Sequence, residues 1–170
     1  VMKEATKHQL LVDFHGSICP KGLEREYPNL ISYEGVLGLE QGTGCKPSNT
    51  IYLPFIRNVI GGMDFTPGSM NTLHSENGYT SGELPSGIGT RAYQMALYVV
   101  FESGVQMLAD SPSAYMNASE CTEFIAGTPV TWDETRVLNA ELGESIVFAR
   151  RKGDVWYVGG ITDEKAREME

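Results

Sequence analysis

Apolar positions along this chain follow one rhythm over its first two thirds and another near its end. Leu10-Leu11-Val12-Asp13-Phe14 is a continuous apolar run broken by one acid and followed by His15-Gly16. Such a run predicts a parallel strand, buried on both faces, that ends in a functional loop. Pro28-Asn29-Leu30-Ile31-Ser32-Tyr33-Glu34 predicts a second short strand, and Met63-Asp64-Phe65-Thr66 ahead of Pro67-Gly68 predicts a third. Thr50 to Ile60 has apolar residues at helical spacing, with Pro54 early enough for a first turn to tolerate it. Arg91 to Leu108 carries the widest helical face, formed by Met95, Leu97, Tyr98, Val99, Phe101, Val105 and Leu108.

After Pro129 the pattern turns β-rich. Ser145 to Arg151 and Asp154 to Gly160 flank Lys152-Gly153-Asp154, a hairpin turn signal. A hairpin has too few strands to stand alone. The charged stretch Glu164 to Glu170 is therefore expected to lead onward into further strands. Trp132, Trp156 and Tyr157 are expected to pack this region rather than to form sugar platforms.

Strand, loop, strand, helix, strand, helix without internal repeats predicts an α/β fold, the C-terminal portion of a (β/α)8 (TIM) barrel, over residues 1–126. Residues 127–170 are the expected start of an antiparallel β-domain. A barrel is preferred to a doubly wound sheet because Asp13, His15, Glu34 and Asp64 all fall at or just after the C-terminal ends of predicted strands. Barrel enzymes gather their catalytic groups there.

Composition narrows the partners. A formal net charge of -9 argues against a phosphate-backbone partner such as nucleic acid. No apolar run approaches the roughly 20 residues a membrane helix needs. Cys19, Cys45 and Cys121 are odd in number and far apart, so they predict neither a zinc site nor a disulfide framework. The chain begins at Val1 and runs almost at once into the first strand, so it is expected to be part of a longer polypeptide.

The densest chemistry lies in Tyr33-Glu34-Gly35-Val36-Leu37-Gly38-Leu39-Glu40. Glycine lets the backbone turn sharply, so Glu34 and Glu40 can face one cavity. One carboxylate can then ligate a hard cation such as calcium while the other stays protonated. Composition alone leaves this open, because glutamates in glycine-rich loops are as a rule simply solvated.

The ordered motifs Val12-Asp13-Phe14-His15-Gly16, Pro20-Lys21-Gly22, Tyr27-Pro28-Asn29-Leu30 and Tyr33 to Glu40 resemble the end of the catalytic barrel of glycoside hydrolase family 97. The resemblance continues through Pro54 to Gly68 and into Pro129-Val130-Thr131-Trp132-Asp133-Glu134-Thr135. It implies an amino-terminal β-sandwich and most of the barrel upstream, and a periplasmic or secreted location. It also implies Glu40 as general acid, Glu34 as a calcium (Ca2+) ligand with Glu40 as a second candidate ligand, and His15 as a contact to a sugar hydroxyl of an oligosaccharide or other α-glycoside substrate.

Family 97 divides into inverting α-glucosidases and retaining α-galactosidases. The inverting branch carries a glutamate base directly after the histidine, where this chain has Gly16. The retaining branch uses an aspartate from an earlier strand. The resemblance therefore implies a retaining α-galactosidase with its nucleophile upstream of Val1, and a chain that is inactive by itself. The alternatives are an inverting α-glucosidase acting on starch-like oligosaccharides, or a non-catalytic carbohydrate-binding fragment. Asp13 is expected to hydrogen bond within the barrel, Arg57 and Asp64 to serve structural roles, pairing with each other among them, His8 to lie on a polar helix surface, and His74 with the stretch Ser75 to Gly89 to rim the pocket.

Overall fold

The structure is a computed structural model that describes residues 1–73 and 86–169, and only the backbone of 42–44. Seven helices and seven strands occur among the described residues. The first part runs α1 (Met2–Lys7), β1 (Val12–Phe14), α2 (Leu23–Glu26), β2 (Leu30–Tyr33), a 3-10 segment Leu39–Cys45, α3 (Pro47–Thr50) and α4 (Leu53–Ile56). The middle has β3 (Thr72–Leu73), β4 (Gly87–Ile88), α5 (Arg91–Val100), α6 (Pro112–Asn117) and α7 (Ser119–Gly127). The end is β5 (Glu134–Glu141), β6 (Ser145–Lys152) and β7 (Val155–Thr162).

β1 and β2 pair in parallel, Asp13 opposite Ser32 and Phe14 opposite Tyr33. Met63 continues the order with a single parallel bridge to Tyr33, and its N–H donates to the carbonyl of Glu102 at 3.0 Å. Strand-like segments thus follow one another side by side in chain order and in the same direction. β3 and β4 form a separate parallel pair.

Several expectations need correction. The first strand is only Val12–Phe14, and Leu10 and Leu11 are 57% and 70% exposed rather than buried. Among the described residues β1 has a strand partner on one side only, whereas a buried parallel strand needs both. The helix expected over Thr50 to Ile60 is broken into α3, α4 and a 3-10 turn Asn58–Ile60. Pro54 lacks the N–H that would have bonded the carbonyl of Thr50, and Gly61 ends the run at φ +134°. α5 stops at Val100, eight residues before Leu108, because the chain turns extended at Phe101 so that Glu102 can pair beside Met63. The third strand shrinks to its bridge. α6 and α7, each starting a polar-rich stretch, had no clear signal in the apolar spacing.

The terminal sheet has three strands in the order β5-β6-β7, antiparallel throughout, rather than the two expected. β5 was missed because nearly all of it is exposed, so no alternation marks it. A left-handed Gly143 in the β5–β6 turn was the available signal. Within the described residues the chain after β7 turns back toward the β5–β6 turn. Arg167 pairs with Asp163 at 2.8 Å and also with Glu144.

The sheet is not a free-standing layer. Ile146, Phe148 and Ile161 from its inner face share one core with Met63, Phe65, Leu97 and Phe101. α5 crosses the sheet at Gly159, where a Cβ would stand 2.7 Å from that of Val99, so only glycine permits this approach. Arg150, buried in β6, bonds Glu102 at 3.0 Å and the carbonyl of Val100 at 3.3 Å. Trp132 meets Tyr157 edge-on at 5.4 Å, and Arg136 lies 4.9 Å over Trp156, so these aromatics pack the sheet. The three cysteines are free thiols, and no described helix is long and apolar enough to cross a membrane.

Candidate active site

Two loops at the C-terminal ends of β1 and β2 interlock to form the site. After Phe14 the chain passes through His15 into Gly16, left-handed at φ +64°, whose N–H donates to the Glu34 carboxylate. The Glu34 N–H donates in turn to the carbonyl of Phe14 at 2.9 Å, and Gly35 N–H to that of Ser17 at 3.0 Å. Gly35 sits at φ +41°, and a Cβ there would lie 2.5 Å from the Cys19 nitrogen. The sharp turn anticipated from its glycines is therefore required twice over, by conformation and by space. At Gly38 the requirement is space alone, since a Cβ would lie 2.7 Å from the carbonyl oxygen of Phe65.

Arg57 braces this turn from beneath. Its buried guanidinium donates to the carbonyls of Tyr33, Glu34, Gly35, Gly61 and Gly62 at 3.0–3.2 Å. Burial lowers its pKa. It does not pair with Asp64. These bonds gather backbone carbonyls where the regular pairing ends; that of Tyr33 also accepts from the Asp64 N–H.

His15 stands at the centre. Its Nε2 lies 2.9 Å from Glu40 Oε1, and its Nδ1 lies 2.8 Å from Asp64 Oδ2 and 3.9 Å from Glu34 Oε2. The ring is half exposed and Asp64 is buried. The hydrogen bond to Asp64 raises the His15 pKa, helped by the negative charges of Glu34, Glu40 and Asp64. Asp13 takes a hydrogen bond from Ser32 Oγ at 2.5 Å and is bonded to Asp64; burial raises its pKa. This is the internal hydrogen-bonding role expected of it. His8 is exposed at the end of α1, also as expected.

Glu34 and Glu40 converge as the sequence suggested, and Gln41 is the residue that reasoning from sequence missed. Its amide nitrogen lies 2.8 Å from Glu34 Oε1 and 3.1 Å from Glu40 Oε1, while its Oε1 accepts from the Gly38 N–H at 2.5 Å. Thr66 was also missed; it donates to Asp64 Oδ1 at 3.2 Å. A glutamine directly after a candidate acid was the visible signal for the first, and nothing in the sequence marked the second. Residues 74–85, which include His74 and most of the expected rim, lie outside the described residues.

The donor set suits a hard cation in part. Ligand atoms of His15, Glu34 and Glu40 all lie within 4.8 Å of one another. The partly positive amide of Gln41 already sits where the two carboxylates meet, which shows a local demand for positive charge. Calcium takes about six to eight oxygens. Two carboxylates fit as part of such a set, and the imidazole nitrogen does not.

Two carboxyl groups beside a histidine, at the ends of parallel strands, have the equipment for acid–base hydrolysis of a glycosidic bond. The sequence model of "Glycoside hydrolase 97" matches residues 1–36, and that of "Glycosyl-hydrolase 97 C-terminal, oligomerisation" matches residues 131–170. Both ends of the chain thus match models of glycoside hydrolase family 97, and relatives described as members of that family or as retaining alpha-galactosidases resemble the chain along nearly its whole length.

It is 52% identical over 169 residues to a retaining alpha-galactosidase of Bacteroides thetaiotaomicron, covering 96% of this chain and 26% of that protein. It is 39% identical over 160 residues to a probable retaining alpha-galactosidase of Streptomyces bingchenggensis, covering 94% of this chain and 24% of that protein. Among solved structures it is similar to a family 97 enzyme from Pseudoalteromonas sp. strain K8 in complex with panose. That match has a TM-score of 0.79 and 37% identity, and covers 98% of this chain and 26% of the other. A beta-arabinopyranosidase matches with a TM-score of 0.80 and 33% identity, over 95% of this chain and 26% of its own. The chain spans about a quarter of the length of these relatives.

Proposed function

We propose that this chain is the carboxy-terminal part of a retaining α-galactosidase-like glycoside hydrolase, with Glu40 as its acid/base. The observation that carries the reading is the convergence of Glu40, His15 and Glu34 at the ends of two adjacent parallel strands, with a glycine where the inverting branch has its base. Residues 1–126 are read as the last part of a (β/α)8 barrel and 127–170 as the start of the β-domain. The one-sided pairing of β1 and the exposure of Leu10 and Leu11 support this, since further barrel strands and helices would cover them. The 131–170 match, described as oligomerisation, supports a role for the second part in assembly.

The chemistry follows from the carboxyl groups. Glu40, half exposed and facing the open side, gives its proton to the leaving oxygen as an aspartate from an earlier strand attacks the anomeric carbon and forms a glycosyl ester. Water then displaces that ester, and Glu40 takes the proton of the attacking water. His15, its ring held between Asp64 and Glu40, contacts a hydroxyl of the terminal sugar. Glu34 is the residue of this chain that would hold calcium, with Glu40 second, because a carboxylate bound to a dication gives up the proton that an acid needs. Calcium there would supply a fixed positive charge that orients sugar hydroxyls.

Gly16 sharpens the stereochemistry. A Cβ at this position would meet nothing within 4 Å, so there is room for a side chain but no carboxylate to activate water. The test uses the full-length polypeptide and an aryl α-galactoside, with the first-formed anomer followed by NMR. Initial release of the α-anomer is expected, and initial β-anomer would overturn retention. A paired aryl α-glucoside distinguishes the α-glucosidase reading, and a chelator that leaves activity unchanged would remove calcium from it. The family resemblance supports a periplasmic or secreted location, which fractionation of expressing cells tests.

A further inference from the structure

The buried aspartate behind His15 exchanges no proton with the substrate in the chemistry just described, yet it is itself closely held. Asp64 follows the Tyr33–Met63 bridge, so its backbone is set by strand pairing, and its own N–H donates to the carbonyl of Tyr33 at 3.0 Å. Its Oδ1 accepts from Thr66 and its Oδ2 faces His15 Nδ1 at 2.8 Å. On its far side stands Asp13, itself bonded to Ser32. A carboxylate oxygen only accepts, and Oδ2 is the Asp64 atom that faces the ring. Asp64 then accepts, so Nδ1 carries hydrogen and Nε2 is left to face Glu40.

Thr66 adds an independent sign that this arrangement is held rather than incidental. It adopts φ +59°, a strained conformation that a β-branched residue rarely takes. Strain of this kind persists only where surrounding contacts require it, and the side-chain contact Thr66 makes here is the bond to Asp64.

We infer that Asp64 is the positioning residue of His15, fixing its tautomer and ring plane so that Nε2 is presented to Glu40 and to the bound sugar, with Thr66 holding Asp64 in place. The inference rests on the reading of Glu40 as acid/base and His15 as sugar contact.

The test uses the full-length polypeptide, labelled with 15N-histidine and with the His15 signals assigned through His15→Gln. Asp64→Asn is expected to lower kcat about 10- to 100-fold, with KM within about twofold, and to shift the His15 nitrogen signals away from the Nδ1–H tautomer. Thr66→Gly relieves the backbone strain while removing the hydroxyl. It is expected to keep or raise the melting temperature and still lower kcat about threefold. Unchanged kcat and unchanged His15 signals in Asp64→Asn overturn the inference. If that variant fails to fold, Thr66→Gly decides by the same readouts. If the wild-type polypeptide cleaves no glycoside, the proposed function fails, and the ring signals still decide the place of Asp64.

Discussion

The loops after β1 and β2 and the sheet β5-β6-β7 solve opposite problems. In the sheet each eight-residue strand pairs with its chain neighbour through a short turn, so its backbone hydrogen bonds are made within about thirty residues of sequence. In the site region strands of three and four residues pair in parallel, and the carbonyls beyond them go to Arg57. Regular pairing leaves the sheet nothing to spare for chemistry. Irregular backbone leaves carboxylates and a histidine facing open space, held by side chains instead of by a ladder. The molecule concentrates function where its secondary structure is least complete.

Breaking the site should cost most in rate. Glu40→Gln in the full-length polypeptide is expected to lower kcat by roughly 10²–10⁴-fold on a substrate with a poor leaving group, the usual worth of a general acid. Thermal melting should hardly change, because Glu40 is half exposed. A variant with wild-type kcat would remove the acid/base assignment.

Stability should break next at the brace. Arg57→Ala removes a buried donor from the carbonyls of residues 33, 34, 35, 61 and 62, of which Tyr33 keeps the Asp64 N–H and Gly61 the Asn58 amide, and is expected to cost about 3 kcal/mol by urea unfolding. The sheet is expected to be broken by packing rather than by hydrogen bonds. Gly159→Val forces a Cβ to within 2.7 Å of that of Val99 and should cost about 2 kcal/mol. If Gly159→Val were as stable as wild type, α5 would not lie against the sheet as described.

The smallest effect is the pH dependence of His15. Its folded pKa is raised, chiefly by the hydrogen bond to Asp64, so its stabilising contribution is complete below its ordinary value of 6.5 and disappears as pH rises through the raised value. The difference in melting temperature between wild type and His15→Gln, measured in chelator, should therefore be larger at about pH 5.5 than at about pH 9. Half exposure keeps the effect small. A difference that grew with pH would contradict the geometry.

How much was legible in advance follows the same division. The β6–β7 hairpin was readable because alternation and a Lys152-Gly153-Asp154 turn are local signals, and the structure places Asp133 on that turn, accepting from the Gly153 N–H at 2.8 Å. β5 was not, because its exposed side chains carry no apolar period. One helix over Thr50 to Ile60 is more than the chain forms, since spacing registers apolar faces but not the carbonyl that Pro54 leaves unbonded.

For the site, residue chemistry and motif order alone determined that Glu34, Glu40 and His15 were the groups to watch and that Gly16 brings no base. Types and spacings are properties of the chain, and a glycine has no carboxylate in any fold. Which groups touch was decided only by tertiary structure. Asp64 lies 49 residues from His15, and Arg57 more than 20 from the carbonyls of Tyr33, Glu34 and Gly35 that it satisfies. Contacts at such separations depend on how parallel strands stack and where loops cross, and no local pattern encodes them.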